Sequence, residues 1–139
     1  MVQIIAGKKG KGKTKHLLDM ANAAIKGANG TVVYLDKSAQ HMYELNNRIR
    51  LINVNEFPLA SSEGFLGFIC GIISQDHDLE ELYLDSFLTI SKMEDSALAH
   101  AIDRLVFISE KYNVNMVLSV SKNEADLPEN AKEHIAISL

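Results

Sequence analysis

The sequence predicts an α/β domain built on a mainly parallel sheet of five or six strands. Short apolar runs ("VQIIAG", "TVVYLD", "IRLINVN", "ELYLDSF", "VNMVLSVS") alternate with stretches of helical periodicity, the order of elements that builds such a sheet. These runs are nearly continuous in their apolar character, as strands covered by helices on both faces must be. No repeat, low-complexity tract or Pro/Gly-rich linker divides the 139 residues, and a hydrophobic content of 47% suffices for one core. Residues 1–139 therefore read as a single domain.

The elements follow in order. "VQIIAG" is a first strand, and Thr14–Lys26 then sets Leu17, Leu18, Ala21, Ala24 and Ile25 on one helical face before "GANG" stops the helix. "TVVYLD" is a second strand, with a helix expected over Ala39–Arg48. "IRLINVN" is a third strand, ending before Pro58. Ser62 is placed to cap a helix that buries Phe65, Leu66, Ile69, Ile72 and Ile73. "QDHD" is an acidic turn and "ELYLDSF" a fourth strand. A long helix over Asp95–Tyr112 buries Leu98, Ala101, Ile102, Leu105 and Tyr112, and "VNMVLSVS" is a fifth strand. A short helical turn after Pro128 leads into "HIAISL", an expected edge strand.

Composition narrows the partners. The net charge of -4 carries no polyanion-binding signature, and the tyrosines and phenylalanines form no stacking array, so the chain gives no strong nucleic-acid signal. Cys70 is the only cysteine, which excludes an intrachain disulfide, fits a reducing compartment and reads as a small buried residue. Its apolar stretch, "FLGFICGII", is far shorter than the ~20 residues that span a bilayer. Gly67 and Gly71 form a GxxxG pattern that suits close helix packing. The five histidines are scattered, and "DHD" at residues 76–78 has no partner motif at metal-ligand spacing. The chain reads as cytoplasmic, with no membrane partner.

One segment departs from the acidic average. Residues Gly7–Lys15 hold five lysines and three glycines. Crowded cations repel one another unless they surround an anion. Gly7-Lys8-Lys9-Gly10-Lys11-Gly12-Lys13-Thr14 matches G-x-x-x-x-G-K-[ST] in full, with a strand before it and a helix after. Glycines let such a loop curl so that backbone N–H groups point inward at phosphate oxygens, and the helix N-terminus adds its positive end. The expected ligand is a nucleoside triphosphate with Mg²⁺. It would lie against Gly7, Lys9, Gly10, Lys11 and Gly12, with Lys13, Thr14 and Lys15 opening the helix. Lys13 would reach the β- and γ-phosphates and the Thr14 hydroxyl would ligate the metal. The side chains of Lys8, Lys9, Lys11 and Lys15 read as solvated or as raising the local potential. A second acid on the metal is expected from Asp85, at the end of the apolar strand "LYLD", in the form of a Walker B motif.

These segments, with "NVNMVLSVSKNEADLPENAKEH", fall in the order and spacing of RecA-like ATPases, and resemble most those of the RadA and DnaB-helicase type. The resemblance implies a three-layer sandwich with the P-loop strand central and the Walker B strand one removed from it. It implies ATP and Mg²⁺ as ligands, and assembly into homo-oligomers or with a protein partner. "SVSKN" is similar to the segment that senses the γ-phosphate, which would bring Ser121, Lys122 and Asn123 near it and make Lys122 a candidate catalytic residue beside Lys13 and Asp85. An exposed loop lysine is the alternative for Lys122. Where this branch carries a catalytic glutamate, the chain has Ser38 or Ala39. Asp36 and Glu56, near the ends of the second and third strands, are the acids that can stand in for it, or can be solvated or capping groups. The segment after Asp85, "SKMEDSALAH", carries little of the positive charge found in the branch's DNA-touching loops.

ParA/MinD-type ATPases offer a second resemblance. Lys8 stands at their extra lysine and "VVYLDKSAQ" is similar to their Asp-x-Asp-x-Gln strand, with Ser38 at the second Asp and Lys9-Gly10 at their glycine pair. The functional expectations are thus a Mg-dependent ATPase with weak or partner-dependent hydrolysis, a non-hydrolysing nucleotide-responsive switch, or a small phosphotransferase such as a nucleoside kinase.

Overall fold

The apolar runs become the six strands of one all-parallel sheet in the computed structural model, which describes residues 1–139. They are β1 (Val2–Ala6), β2 (Thr31–Asp36), β3 (Arg50–Asn53), β4 (Leu79–Leu84), β5 (Asn115–Val120) and β6 (Ile135–Ser138). Their order across the sheet is β3-β2-β4-β5-β1-β6. Because every pairing is parallel, all six strands end on the same edge of the sheet. Ligands of open α/β sheets bind outside that edge.

Both faces are covered. The alternation of side chains along each strand decides which residue meets which layer. On one face, helix α1 (Lys13–Gly27) packs Leu17, Leu18, Ala21 and Ile25 against Ile5, Tyr34, Tyr83 and Val117. On the other, helices α2 (Ser62–Gln75) and α4 (Leu98–Tyr112) set Phe65, Ile69 and Leu105 over Ile4, Leu35, Leu82 and Leu118. Two short helices, α3 (Phe87–Ile90) and α5 (Glu129–Lys132), complete that layer, with Phe87, Ile90 and Ala131 in the same cluster. Each of the leucine, isoleucine and phenylalanine side chains among these contributes about 1.5–3 kcal/mol on full burial. None of the helices is long and apolar enough to cross a membrane.

Several local expectations are corrected. Over residues 39–48 there is only a single 3₁₀ turn, Met42–Glu44, in place of a helix. Asn22 of α1 accounts for this: its amide donates to Glu44 O at 2.9 Å and its carbonyl accepts from Asn46 N at 2.8 Å. Those backbone groups are thereby withdrawn from a helical ladder, and Asn46 Oδ1 takes the Arg48 N–H at 2.9 Å as well. The cap of α2 is Ser61, whose hydroxyl accepts from Gly64 N at 3.0 Å, and Ser62 is the first helical residue. Cys70 is exposed, since it follows the buried Ile69 by about 100° around the helix. A Cβ on Gly67 or Gly71 would meet nothing within 4 Å, so this pair brings no helix close. Tyr112, at the last position of α4, is 50% exposed. Finally, β1 lies beside the edge strand β6, and β4 and β5 occupy the centre of the sheet. The expected strand between β1 and β4 is present, and it is β5.

Gly30 shows how the start of β2 is locked to the turn before β4. Thr31 N donates to Asp78 O at 2.8 Å, and Gly30 N donates to the Glu80 carboxylate. A Cβ at Gly30 would lie 1.9 Å from Asp78 O, so any side chain must force the two backbones apart. Gly30→Ala is expected to destabilise the fold by about 1–3 kcal/mol, read as a lower urea midpoint. An unchanged midpoint would show that this junction is free to give.

Candidate functional site

Three neighbouring strands, β2, β4 and β5, deliver polar groups to one place by the same period of two. Tyr34, Tyr83 and Val117 all face α1, and two residues further on come Asp36, Asp85 and Ser119. These three polar residues are buried at the edge where the strands end. The loop from β1 to α1 closes over them. Gly10 (φ 87°) and Gly12 (φ 92°) take left-handed backbone conformations that a side chain would oppose, and Gly12 caps α1 without a side chain. Together they enclose a cavity of about 550 Å³ in which Leu88 is the only apolar lining residue. Such a wall suits a strongly polar ligand.

Asp85 is the centre of the site. It is 2% exposed, and donors from three other elements and its own chain converge on its carboxylate. Oδ1 accepts from Ser119 Oγ at 2.6 Å, Ser86 N at 2.9 Å and Thr14 Oγ1 at 3.3 Å. Oδ2 accepts from the Tyr34 hydroxyl at 2.8 Å. Burial first, and then the Asp85 charge and hydrogen bond, push the Tyr34 hydroxyl far above its ordinary pKa, so Tyr34 remains a donor. Ser86 holds a left-handed conformation (φ 54°) unusual outside glycine, and its N–H donates to both Asp85 Oδ1 and Ser119 Oγ, the latter at 2.8 Å.

Lys13, 7% exposed, donates from Nζ to Lys8 O at 3.0 Å, so the loop folds its own lysine inward. Burial lowers its pKa, and the Asp85 charge partly restores it. An anion in the cavity would favour the charged amine further. Asp36 is also 2% exposed, but is served differently. Its Oδ1 accepts from Lys37 N at 2.7 Å, while Oδ2 has no partner. Burial raises its pKa above the usual carboxylate range; the Lys37 N–H and the charges of His41 and Lys37 pull the other way, and Asp85 adds to the rise.

The cavity brings together Lys9, Gly10, Gly12, Lys13, Thr14, Asp36, Asp85 and Ser121 of the residues singled out from sequence. Gly7 leads into the loop, Lys8 supplies its carbonyl, and Lys11 is exposed outside the lining. Lys15 is turned to Asp19 at 3.3 Å on the exposed side of α1. Lys122 reaches Asp95 at 2.9 Å and does not line the cavity, nor does Asn123. Glu56 is exposed and apart from it. Tyr34, Lys37, Gln40, His41, Thr89 and Ser119 escaped the sequence reading, although Tyr34 and Ser119 share the alternation that brings Asp36 and Asp85 to the same face of the sheet. His41 is held by Glu44 through Nδ1 at 2.9 Å and by Gln40 through Nε2 at 3.1 Å.

A divalent cation fits the donor set. Thr14 Oγ1 and Asp85 Oδ1 already face each other across 3.3 Å, and both are hard oxygen donors. No cluster of three or more His, Cys, Asp or Glu could cage a metal, so water and ligand oxygens would complete the shell, as Mg²⁺ prefers. No protein-family model matches the chain, and no curated protein matches its sequence.

The buried, half-paired carboxylate of Asp36 gives a stability prediction. Burial raises its pKa, so the folded state holds the proton more tightly than the unfolded chain, and the ionised form costs stability above the ordinary carboxylate pKa of about 4. Asp36→Asn, which removes the buried charge, is therefore expected to be more stable than wild type at pH 7. The gain should fade as the pH falls towards about 4. Denaturant midpoints of both proteins across this range check it; an Asn variant less stable at pH 7 would contradict it.

Proposed function

We propose that the chain binds Mg·ATP in the cavity under its Gly7–Thr14 loop, as a RecA-like P-loop protein whose hydrolysis is weak or depends on a partner or on self-association. The observation that carries this reading is a convergence. The loop's left-handed glycines, the inward Lys13, the Thr14 hydroxyl and the buried Asp85 meet in one polar cavity at the carboxyl edge of the sheet. That cavity opens at the N-terminus of α1, whose unpaired N–H groups and dipole favour an anion. The position of β5 between β1 and β4 agrees with one part of the strand arrangement that the RecA-like resemblance implies, although β1 itself is not central.

Each residue has a distinct task. Backbone N–H groups of the loop and Lys13 would hold the phosphates and offset their charge. Thr14 and Asp85 would hold Mg²⁺, with Asp85 acting through water because its Oδ1 already takes three donors. The cation, when bound, neutralises charge on the terminal phosphates. The resemblance places a catalytic glutamate at Ser38, which lines the cavity, or at Ala39, and the lack of a carboxylate at either favours a second reading, a nucleotide-occupied switch with almost no turnover.

Phosphate release from saturating Mg·ATP, measured over a wide range of protein concentration, distinguishes the two. We expect slow release that disappears in Lys13→Ala, with a specific rate rising with concentration if neighbouring subunits complete the site. Release that survives Lys13→Ala would place the activity elsewhere. Absence of release beside tight binding would favour the switch.

A further inference from the structure

The two oxygens of Asp85 are held differently. Oδ1 accepts from Ser119 Oγ, Ser86 N and Thr14 Oγ1, whereas Oδ2 accepts from the Tyr34 hydroxyl alone, at 2.8 Å. Donors on one oxygen leave a carboxylate free to pivot about it, and a donor on the other fixes its plane. The Thr14 bond is the longest, at 3.3 Å, and a hydroxyl given to a cation would be withdrawn from it. Without Tyr34, Oδ2 would be a buried anionic oxygen with no donor, and the carboxylate would turn to find one.

Tyr34 reaches Asp85 because β2 and β4 are in register. Tyr34 lies opposite Tyr83, two positions before Asp85, and Leu35 lies opposite Leu84. Asp85 N donates to Leu35 O at 2.9 Å, so β2 holds both the backbone and the carboxylate of this residue. The Tyr34 ring is fully buried and stacks on Tyr83 with 15° between their planes. The two phenols serve different acids, since the Tyr83 hydroxyl donates to Glu81 Oε1 at 2.8 Å. A phenylalanine would fill the place of the Tyr34 ring equally well. The hydroxyl it would lack is the part that meets Asp85. Tyr34 is absent from the cavity lining, so it reaches a ligand only through that carboxylate.

Resting on the Mg·ATP reading above, we propose that Tyr34 is a positioning residue for the metal, its hydroxyl holding Asp85 Oδ2 so that Oδ1 faces Thr14 before a cation arrives. Groups hydrogen-bonded to a metal-holding side chain typically govern 10- to 100-fold in metal affinity. Tyr34 thus acts on the cation and leaves the phosphate contacts of the loop alone.

The test compares affinity for Mg·ATP with affinity for ATP in EDTA, by calorimetry, in wild type, Tyr34→Phe and Tyr83→Phe. Wild type should prefer Mg·ATP. Tyr34→Phe should reduce that preference by roughly 10- to 100-fold while its metal-free affinity stays that of wild type. Tyr83→Phe, which removes a hydroxyl that does not touch Asp85, should keep the preference. An unchanged preference in Tyr34→Phe would overturn the proposal, as would equal loss of both affinities, the mark of a merely structural role. A measurement on wild type covers the case in which Tyr34→Phe does not fold. The NMR ring signals of Tyr34 should shift when Mg²⁺ is added to the ATP-bound protein, and those of Tyr112, beside Leu79 at the opposite edge of the sheet, should stay. No shift at Tyr34, or equal shifts at both, would overturn the proposal. Wild type that binds ATP equally with and without Mg²⁺ would overturn the proposal and the metal half of the reading, and wild type that binds neither form would overturn both in full.

Discussion

The carboxylate of Asp85 is the group on which the site end of the molecule depends. A charge that is almost fully removed from water is tolerated only when donors replace the water. Here they come from Thr14 at the start of α1, Tyr34 of β2, Ser119 of β5 and the Ser86 backbone, so one residue ties the first turn of the helix to three strands. The left-handed residue Ser86 is part of the same arrangement, its N–H serving both Asp85 and Ser119. The stacked rings of Tyr34 and Tyr83, 6.1 Å apart, hold the phenol beneath the carboxylate. Core packing on the α1 face and polar order in the cavity are therefore continuous.

That arrangement explains an otherwise costly distribution of charge. Lys13 is buried with only a backbone carbonyl as partner, and Asp36 is buried with one oxygen unpartnered. Each is left incomplete, whereas Asp85 between them is saturated. Sites that act on ligands store such incompleteness, because the missing interactions are made when the ligand enters. The rigid frame is provided by β2, β4 and β5 near the middle of the sheet, and the adaptable part by the glycine-rich loop beside β1.

Much of this was legible in the sequence. Continuous apolar runs announced a sheet covered on both faces, and the Gly7–Thr14 spacing announced a curled loop before a helix. The residues that escaped reading share a physical reason: their importance comes from neighbours distant in sequence. Tyr34 reads as one more strand residue until β4 is laid beside β2, and Ser119 until β5 is laid beside β4. The helix expected over residues 39–48 fails because Asn22, from α1, captures the backbone of that segment. Lys122, at the end of a motif-like stretch, is drawn to Asp95, an acid 27 positions earlier. Local pattern specifies the elements, and the competition of long-range partners decides the details.

The central claim is that the loop, Lys13 and Asp85 together form a seat for a metal-bound triphosphate. Calorimetric titration of Mg·ATP into wild-type protein and into Lys13→Ala tests it most directly. The account predicts saturable binding at one site per chain, weakened by roughly 10- to 100-fold in Lys13→Ala, as expected for the loss of one charge-assisted hydrogen bond. Equal affinity in the two proteins, or no binding by the wild type, would contradict it.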